Sequence, residues 1–259
     1  MSSCRELLDG LKPPEHVVQF YGDDDRLLIQ NVGRFLSEGL KRGDGLLVIA
    51  TPDHRTSLTG SLRSESGYSR AVLEGRLMFL DARATLDRFL VDQYPDPELF
   101  ESVIGESLRR VRARAVHSGV RAYGEMVGLL WTTGRREAAV QLEHLWNNLL
   151  SRSEVSLFCS YPVDVLSHEF ESGEVDGLLC THTHLLPADP ELQHALDRAM
   201  DEVLGLRLQG LQPQFRGQWG AVPPTEALVL WIRSNMRGSA DQILARAREY
   251  YQPVIAARS

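Results

Sequence analysis

His16-Val17-Val18-Gln19-Phe20-Tyr21-Gly22-Asp23-Asp24-Asp25-Arg26 is the stretch on which the fold turns. Its first five residues read as a short buried strand. A polar turn follows, and then a helical pattern over Asp23–Lys41, in which Leu27, Leu28, Val32, Phe35, Leu36 and Leu40 recur near a 3.6-residue period. A strand running directly into an amphipathic helix is the opening of a β-α-β unit.

The same alternation continues outward. Gly43-Asp44-Gly45 is a turn, and Leu46–Ala50 reads as a second strand. Pro52 to about Ser64 is a helix led by proline. Arg76–Leu80 is the third strand, Asp81–Asp92 a helix, and Tyr94-Pro95-Asp96-Pro97 a break. Glu98–His117 is a long helix ending at Gly119, Val120–Met126 the fourth strand, Arg135–Arg152 a helix and Val155–Ser160 the fifth strand. This order predicts an α/β fold, a mostly parallel sheet with helices on both faces, whose ligands sit at the carboxyl ends of the strands. Past Val163 the pattern changes. Val163–Glu171 reads as a short helix, Leu178–Leu186 as an alternating extended segment and Pro190–Leu206 as a helix. The organisation expected is a flexible lead-in (1–14), an α/β domain (15–187), a helical extension (188–210), a linker (211–224) and a small C-terminal helical appendage (225–259).

Composition narrows the function classes. The chain has 259 residues, 43% of them hydrophobic and 24% charged, which suits a globular domain with a sizeable core. Twenty-eight Lys and Arg against 35 Asp and Glu give a net charge of −7, which argues against direct nucleic-acid binding and against a polybasic membrane anchor. No apolar run approaches a membrane span, and Met1–Gly10 lacks a signal-peptide core. Three cysteines, Cys4, Cys159 and Cys180, make no disulfide framework, so a cytoplasmic location is expected.

Several strings together resemble one family: His16-Val17-Val18-Gln19-Phe20-Tyr21, Arg121-Ala122-Tyr123-Gly124-Glu125-Met126-Val127, Leu130-Trp131, Glu143-His144-Leu145-Trp146-Asn147 and Phe158-Cys159-Ser160-Tyr161-Pro162. In this order, over roughly residues 14–187, the chain resembles the MEDS domain, the methanogen/methylotroph dichloromethane-regulator sensory domain. The resemblance implies a RecA/KaiC-like core serving as a sensor in bacterial and archaeal regulators of transcription. It also implies small hydrocarbon derivatives as suggested ligands. Family members often carry a kinase or DNA-binding domain, and neither is recognisable in this chain.

A RecA-like ATPase keeps a glycine-rich phosphate loop with a lysine after its first strand. Here that place reads Tyr21-Gly22-Asp23-Asp24-Asp25-Arg26, with three carboxylates and no lysine. The acids can cap the following helix themselves and repel a triphosphate, so ATP is not expected as a cofactor. The residues expected to line a small-molecule pocket are His16, Tyr21, Glu125, Trp131, Trp146 and Tyr161. Glu125 closes a buried strand, and the aromatics surround it at strand ends and on the intervening helix. Glu143 shares a helix face with Trp146 and can brace the pocket, and Cys159 reads as a small buried hydrophobe.

Cys180-Thr181-His182-Thr183-His184 is the sharpest local signal. If extended, it puts Cys180, His182 and His184 on one face, a spacing that can hold Zn²⁺ with a further ligand from His168, Glu169 or His194. Arg109-Arg110-Val111-Arg112-Ala113-Arg114 spreads its arginines around a helix and reads as a solvated face. Residues 225–251 offer an apolar stripe anchored by Trp231, suited to a signalling partner or to self-association. The expected function is a non-enzymatic sensory module that binds a small molecule and relays to a protein partner. The alternatives are a metal-dependent enzyme built on the Cys-x-His-x-His segment, or a scaffold that binds only protein.

Overall fold

The computed structural model describes residues 4–117, 119–171, 173, 175–205 and 222–251. In chain order the elements are α1 (Cys4–Gly10), β1 (His16–Phe20), α2 (Arg26–Arg42), β2 (Gly45–Ala50), α3 (Pro52–Leu62), α4 (Tyr68–Leu73), β3 (Leu77–Asp81) and α5 (Ala82–Leu86). Next come β4 (Leu90–Val91), β5 (Tyr94–Pro95), α6 (Pro97–Phe100), a π-helical turn (Glu101–Gly105), α7 (Glu106–Arg112), β6 (Val120–Gly124), α8 (Met126–Thr132), α9 (Arg136–Leu150) and β7 (Val155–Tyr161). Then follow α10 (Asp176–Leu179), β8 (His184–Leu185), α11 (Pro190–Leu204), α12 (Pro224–Asn235) and α13 (Ala240–Tyr250).

Six strands form one sheet in the order β3-β2-β6-β7-β1-β8, with every pair parallel. Parallel strands need crossovers and end up covered on both faces, which is why Leu46–Ala50 is apolar without a break and every residue of β2 and β7 is buried. Alternate residues serve alternate faces. Leu47 and Ile49 join the face covered by α5 and α7–α9, whereas Leu46, Val48 and Ala50 join the face covered by α1–α4. β1 pairs with β7 in the register His16–Leu157, so His16, Leu157, Cys159 and Tyr161 lie on the α9 face. Tyr123 and Phe158 lie on the α2 face. The α/β sheet with flanking helices is therefore as the sequence predicts.

Several local expectations are corrected. The described part of the lead-in contains a helix. Cys4–Gly10 is a helix whose Leu8, with Leu11 after it, is buried against α2, and Asp9 pairs with Arg34. The α2 helix starts at Arg26, not Asp23, and stops at Gly43. Gly43 has φ +76°, and a Cβ there would meet Val116 at 2.8 Å, so the position needs glycine. The helix expected over Asp81–Asp92 stops at Leu86, because Asp92 (φ 49°) and Gln93 (φ 75°) turn the chain into the β4–β5 hairpin. The fourth strand ends at Gly124, and the next residues enter α8. No helix forms over Val163–Glu171. The Asp164 carboxylate accepts from Leu166 N at 2.8 Å, a local side-chain bond that fixes a turn instead.

The C-terminal helices pack into the core. Leu228, Val229, Leu230 and Ile232 of α12 and Ile243 and Ala247 of α13 are fully buried in the same apolar cluster as the α9 face of the sheet. The linker expected over 211–224 lies mostly outside the described residues. Among the described residues no helix is long and apolar enough to cross a membrane.

Candidate functional site

Two polar centres flank the sheet. The first lies at the carboxyl ends of β1, β2 and β6, where α2 and α3 begin. Glu125 follows β6 and is buried. Its Oε2 accepts the Thr51 backbone N–H at 2.9 Å, and its Oε1 accepts the Tyr123 hydroxyl at 2.9 Å and faces His54 Nδ1 at 2.7 Å. The other ring nitrogen of His54, Nε2, lies 3.0 Å from Asp25 Oδ2. His54 thus bridges two carboxylates. The hydrogen bond to Glu125, and the charges of Glu125 and Asp25, raise its pKa above the ordinary imidazole value against the opposing effect of burial. Tyr21 stacks edge-on to His54, with ring centres 5.9 Å apart. Burial, then the two carboxylates, push its phenol well up.

Beside this centre a pocket of about 210 Å³ opens at the end of β1. It is lined by Tyr21, Asp23 and Leu27, by Asp164 and Asp189, and by Arg248 and Tyr251 at the end of α13. Arg248 pairs with Asp164 at 2.5 Å, and Asp24 is held by Arg26. Burial and the Asp189 carboxylate, which is also its hydrogen-bond partner, push Tyr251 up to about 12.

The second centre lies between the sheet and α9. Glu143 is fully buried there. Its Oε1 accepts the Tyr161 hydroxyl at 2.6 Å and lies 3.2 Å from His182 Nε2, and its Oε2 lies 3.5 Å from His16 Nε2 and 3.8 Å from Cys159 Sγ. His16 Nε2 is 3.3 Å from Cys159 Sγ, and the two imidazole ring centres are 4.1 Å apart. Burial alone would raise the Glu143 carboxyl. The nearby His182 imidazole, then His16 and the Tyr161 hydroxyl, outweigh it and hold the group at about 2. Burial, then repulsion from His182, lowers His16 to about 4. Burial, then Glu143, raises the Cys159 thiol well above its ordinary value.

The six expected pocket residues are thus divided. Tyr21 lines the pocket and Glu125 braces the turn beside it, while His16 and Tyr161 belong to the second centre. Trp131 packs edge-on against Tyr161 at 5.6 Å, and Trp146 edge-on against Phe100 at 5.3 Å, so both indoles belong to the core of the α9 face. Glu125 turns toward His54 and Tyr123 on the opposite face.

The Cys180, His182, His184 trio does not converge. The chain leaves α10 at Leu179 and turns through Thr181 N–H to Leu178 O, so the segment lacks the strand alternation the trio requires. Cys180 is exposed, His184 faces Glu15 at 3.4 Å, and His182 alone reaches the buried centre. His168, Glu169 and His194 are exposed and lie outside it. His54 falls in Thr51–His54, just after the second strand, where the sequence points to ligand-end residues without singling it out. Sequence reasoning missed Asn147, whose amide bridges His16 Nδ1 and Thr181 O. Asn147 had a signal, since it stands one helical turn after Glu143 on the same face of α9.

The family model for MEDS, the methanogen/methylotroph, DcmR sensory domain, matches residues 15–183, well over half of the chain. A search of curated proteins finds no match. The match spans β1 through the turn that carries His182, and so takes in both polar centres. The chain belongs to the MEDS family of sensory domains.

Proposed function

We propose that this sensory domain is a non-enzymatic signalling module that takes a small molecule into the pocket at the end of β1 and relays its presence through α12 and α13 to a protein partner. One observation carries the reading: the pocket wall is shared between the sheet end, at Tyr21–Asp24 and Asp164, and the last described helical turn, at Arg248 and Tyr251. A ligand between these walls touches both, so it stabilises whichever arrangement of α13 it fits best.

The pocket is smaller than the roughly 300–1,000 Å³ of sites that hold drug-sized ligands. Its walls combine Phe20, Leu27 and Leu192 with the carboxylates of Asp23, Asp164 and Asp189. That lining suits a compact, partly apolar molecule bearing a cationic or hydrogen-bond-donating group, and disfavours anions. Asp24 and Asp25 are already engaged by Arg26 and His54 at the turn after β1, which supports a reading without nucleotide. The acidic chain supports a protein rather than a nucleic-acid output, and a cytoplasmic setting fits its unpaired cysteines.

Native mass spectrometry tests this reading. The purified chain should carry, or take up from a panel of small amines and alcohols, a non-covalent adduct. The Leu27→Trp variant, whose indole fills the pocket, should lose it. An adduct retained in that variant, or no binding across the panel, refutes the pocket assignment.

A further inference from the structure

The centre between the sheet and α9 has a chemistry that the sensory reading leaves unused. A ring nitrogen of His16, one of His182, Cys159 Sγ and a carboxylate oxygen of Glu143 all lie within 4.8 Å of one another. The separations given above run from 3.2 to 3.8 Å. Four donors placed tetrahedrally around Zn²⁺, with bonds of about 2.0–2.3 Å, stand roughly 3.3–3.8 Å apart.

Tautomers point the same way. The Asn147 amide donates from Nδ2 to Thr181 O at 2.8 Å, which leaves its Oδ1 to accept from His16 Nδ1 at 2.9 Å. The Leu178 carbonyl, which can only accept, lies 2.6 Å from His182 Nδ1. Both rings therefore carry hydrogen on Nδ1, so the second ring nitrogen of each, Nε2, is the one that faces Glu143. Among the described residues His182 Nε2 is buried with no aligned hydrogen bond, although it lies 3.2 Å from Glu143 Oε1. A metal ion between a buried ring nitrogen and a carboxylate that lack hydrogen-bond alignment would satisfy both. Fixing the outer ring nitrogen on a carbonyl or amide oxygen is the usual support of a metal-bound histidine, and the Tyr161 hydroxyl steadies Glu143 likewise.

We propose that His16, Glu143, Cys159 and His182 form a closed, four-coordinate site for Zn²⁺. On binding, the Cys159 thiol releases its proton to solvent and the sulfur becomes a thiolate ligand. One thiolate, one carboxylate and two neutral imidazoles then balance the ion's two positive charges, so the buried site carries no net charge. Four protein ligands leave no open position, which makes the site structural. It fastens β1, β7 and α9 to the turn that leads into β8, the two-residue edge strand. It is independent of the ligand pocket and stands or falls separately from it.

The test is metal analysis of the full chain purified without chelators, followed by Zn²⁺ and Co²⁺ titration of the stripped protein. One Zn²⁺ per chain is expected. The Co²⁺ form should show the intense visible bands of tetrahedral coordination and a sulfur-to-metal charge-transfer band that Cys159→Ser removes. Asn147→Ala, outside the ligand set, should weaken binding about 10- to 100-fold, whereas Cys180→Ser and His184→Ala should keep full stoichiometry. The proposal is overturned if the folded wild type binds no Zn²⁺, if Cys159→Ser leaves the Co²⁺ spectrum unchanged, or if Cys180→Ser or His184→Ala abolishes binding.

Discussion

Replacing Glu226 with Gln should make the protein more stable, by an amount that grows from about pH 4.5 to 7 and is nearly complete above neutral pH. Glu226 sits in the first turn of α12, fully buried. Its Oε1 accepts the Ala188 backbone N–H at 2.6 Å, while Oε2 has no hydrogen-bond partner among the described residues. Burial raises its pKa from the ordinary carboxylate value of 4.5 to about 7, despite the backbone donors. The folded protein therefore binds a proton that the unfolded chain has released between these two values, and stability falls as pH rises through that window. The full loss above pH 7 is the shift multiplied by about 1.4 kcal/mol per unit, on the order of 3 kcal/mol. Glutamine keeps the oxygen that Ala188 needs and cannot ionise. Urea unfolding should give similar stabilities for wild type and Glu226→Gln near pH 5, and a variant more stable by about 2–3 kcal/mol at pH 8.5. Other titrating groups are common to both proteins and cancel in the difference. A difference that stays flat from pH 5 to 8.5 would refute the argument.

Two further predictions concern the turn after β1 and the C-terminal helices. The His54 imidazole should titrate above its ordinary value by NMR and fall back toward it in Glu125→Gln, because the Glu125 bond is the main cause of the rise; an unchanged midpoint would contradict that bridge. The stability His54 gains from its carboxylates is fully present below the unfolded imidazole pKa and is lost as pH rises through the higher folded one. Removing residues 224–259 should unfold the rest of the chain. Leu228, Val229, Leu230, Ile232 and Ile243 are each worth roughly 1.5–3 kcal/mol of burial, a sum comparable to the whole stability of a typical domain. A truncated protein with an intact cooperative melt would show that the core needs none of them.

The sheet was legible in the sequence because its signal is local: apolar runs such as Leu46–Ala50 separated by helical periods. What escaped was set by contacts distant in sequence or by single backbone positions. Asp92 and Gln93 end a helix by adopting positive φ, which periodicity does not register. The Cys180–His184 segment alternates in composition like a strand, yet a turn at Leu178–Thr181 breaks it. The buried centre draws His16, Glu143, Cys159 and His182 from four separate elements, so only the β1–β7 register and the placement of α9 bring them together. The MEDS strings held three of these residues, His16, Glu143 and Cys159, but no spacing rule joins them.

The central claim is that the pocket and the C-terminal helix respond as one, and hydrogen–deuterium exchange tests it most directly. The probe is whichever small amine or alcohol of the panel raises the melting temperature most. With that compound bound, amides of α13 near Arg248 and Tyr251 should exchange more slowly, together with those of Gly22–Asp24 and Asp164. Protection confined to Gly22–Asp24 and Asp164, with α13 exchanging as in the free protein, would contradict the account.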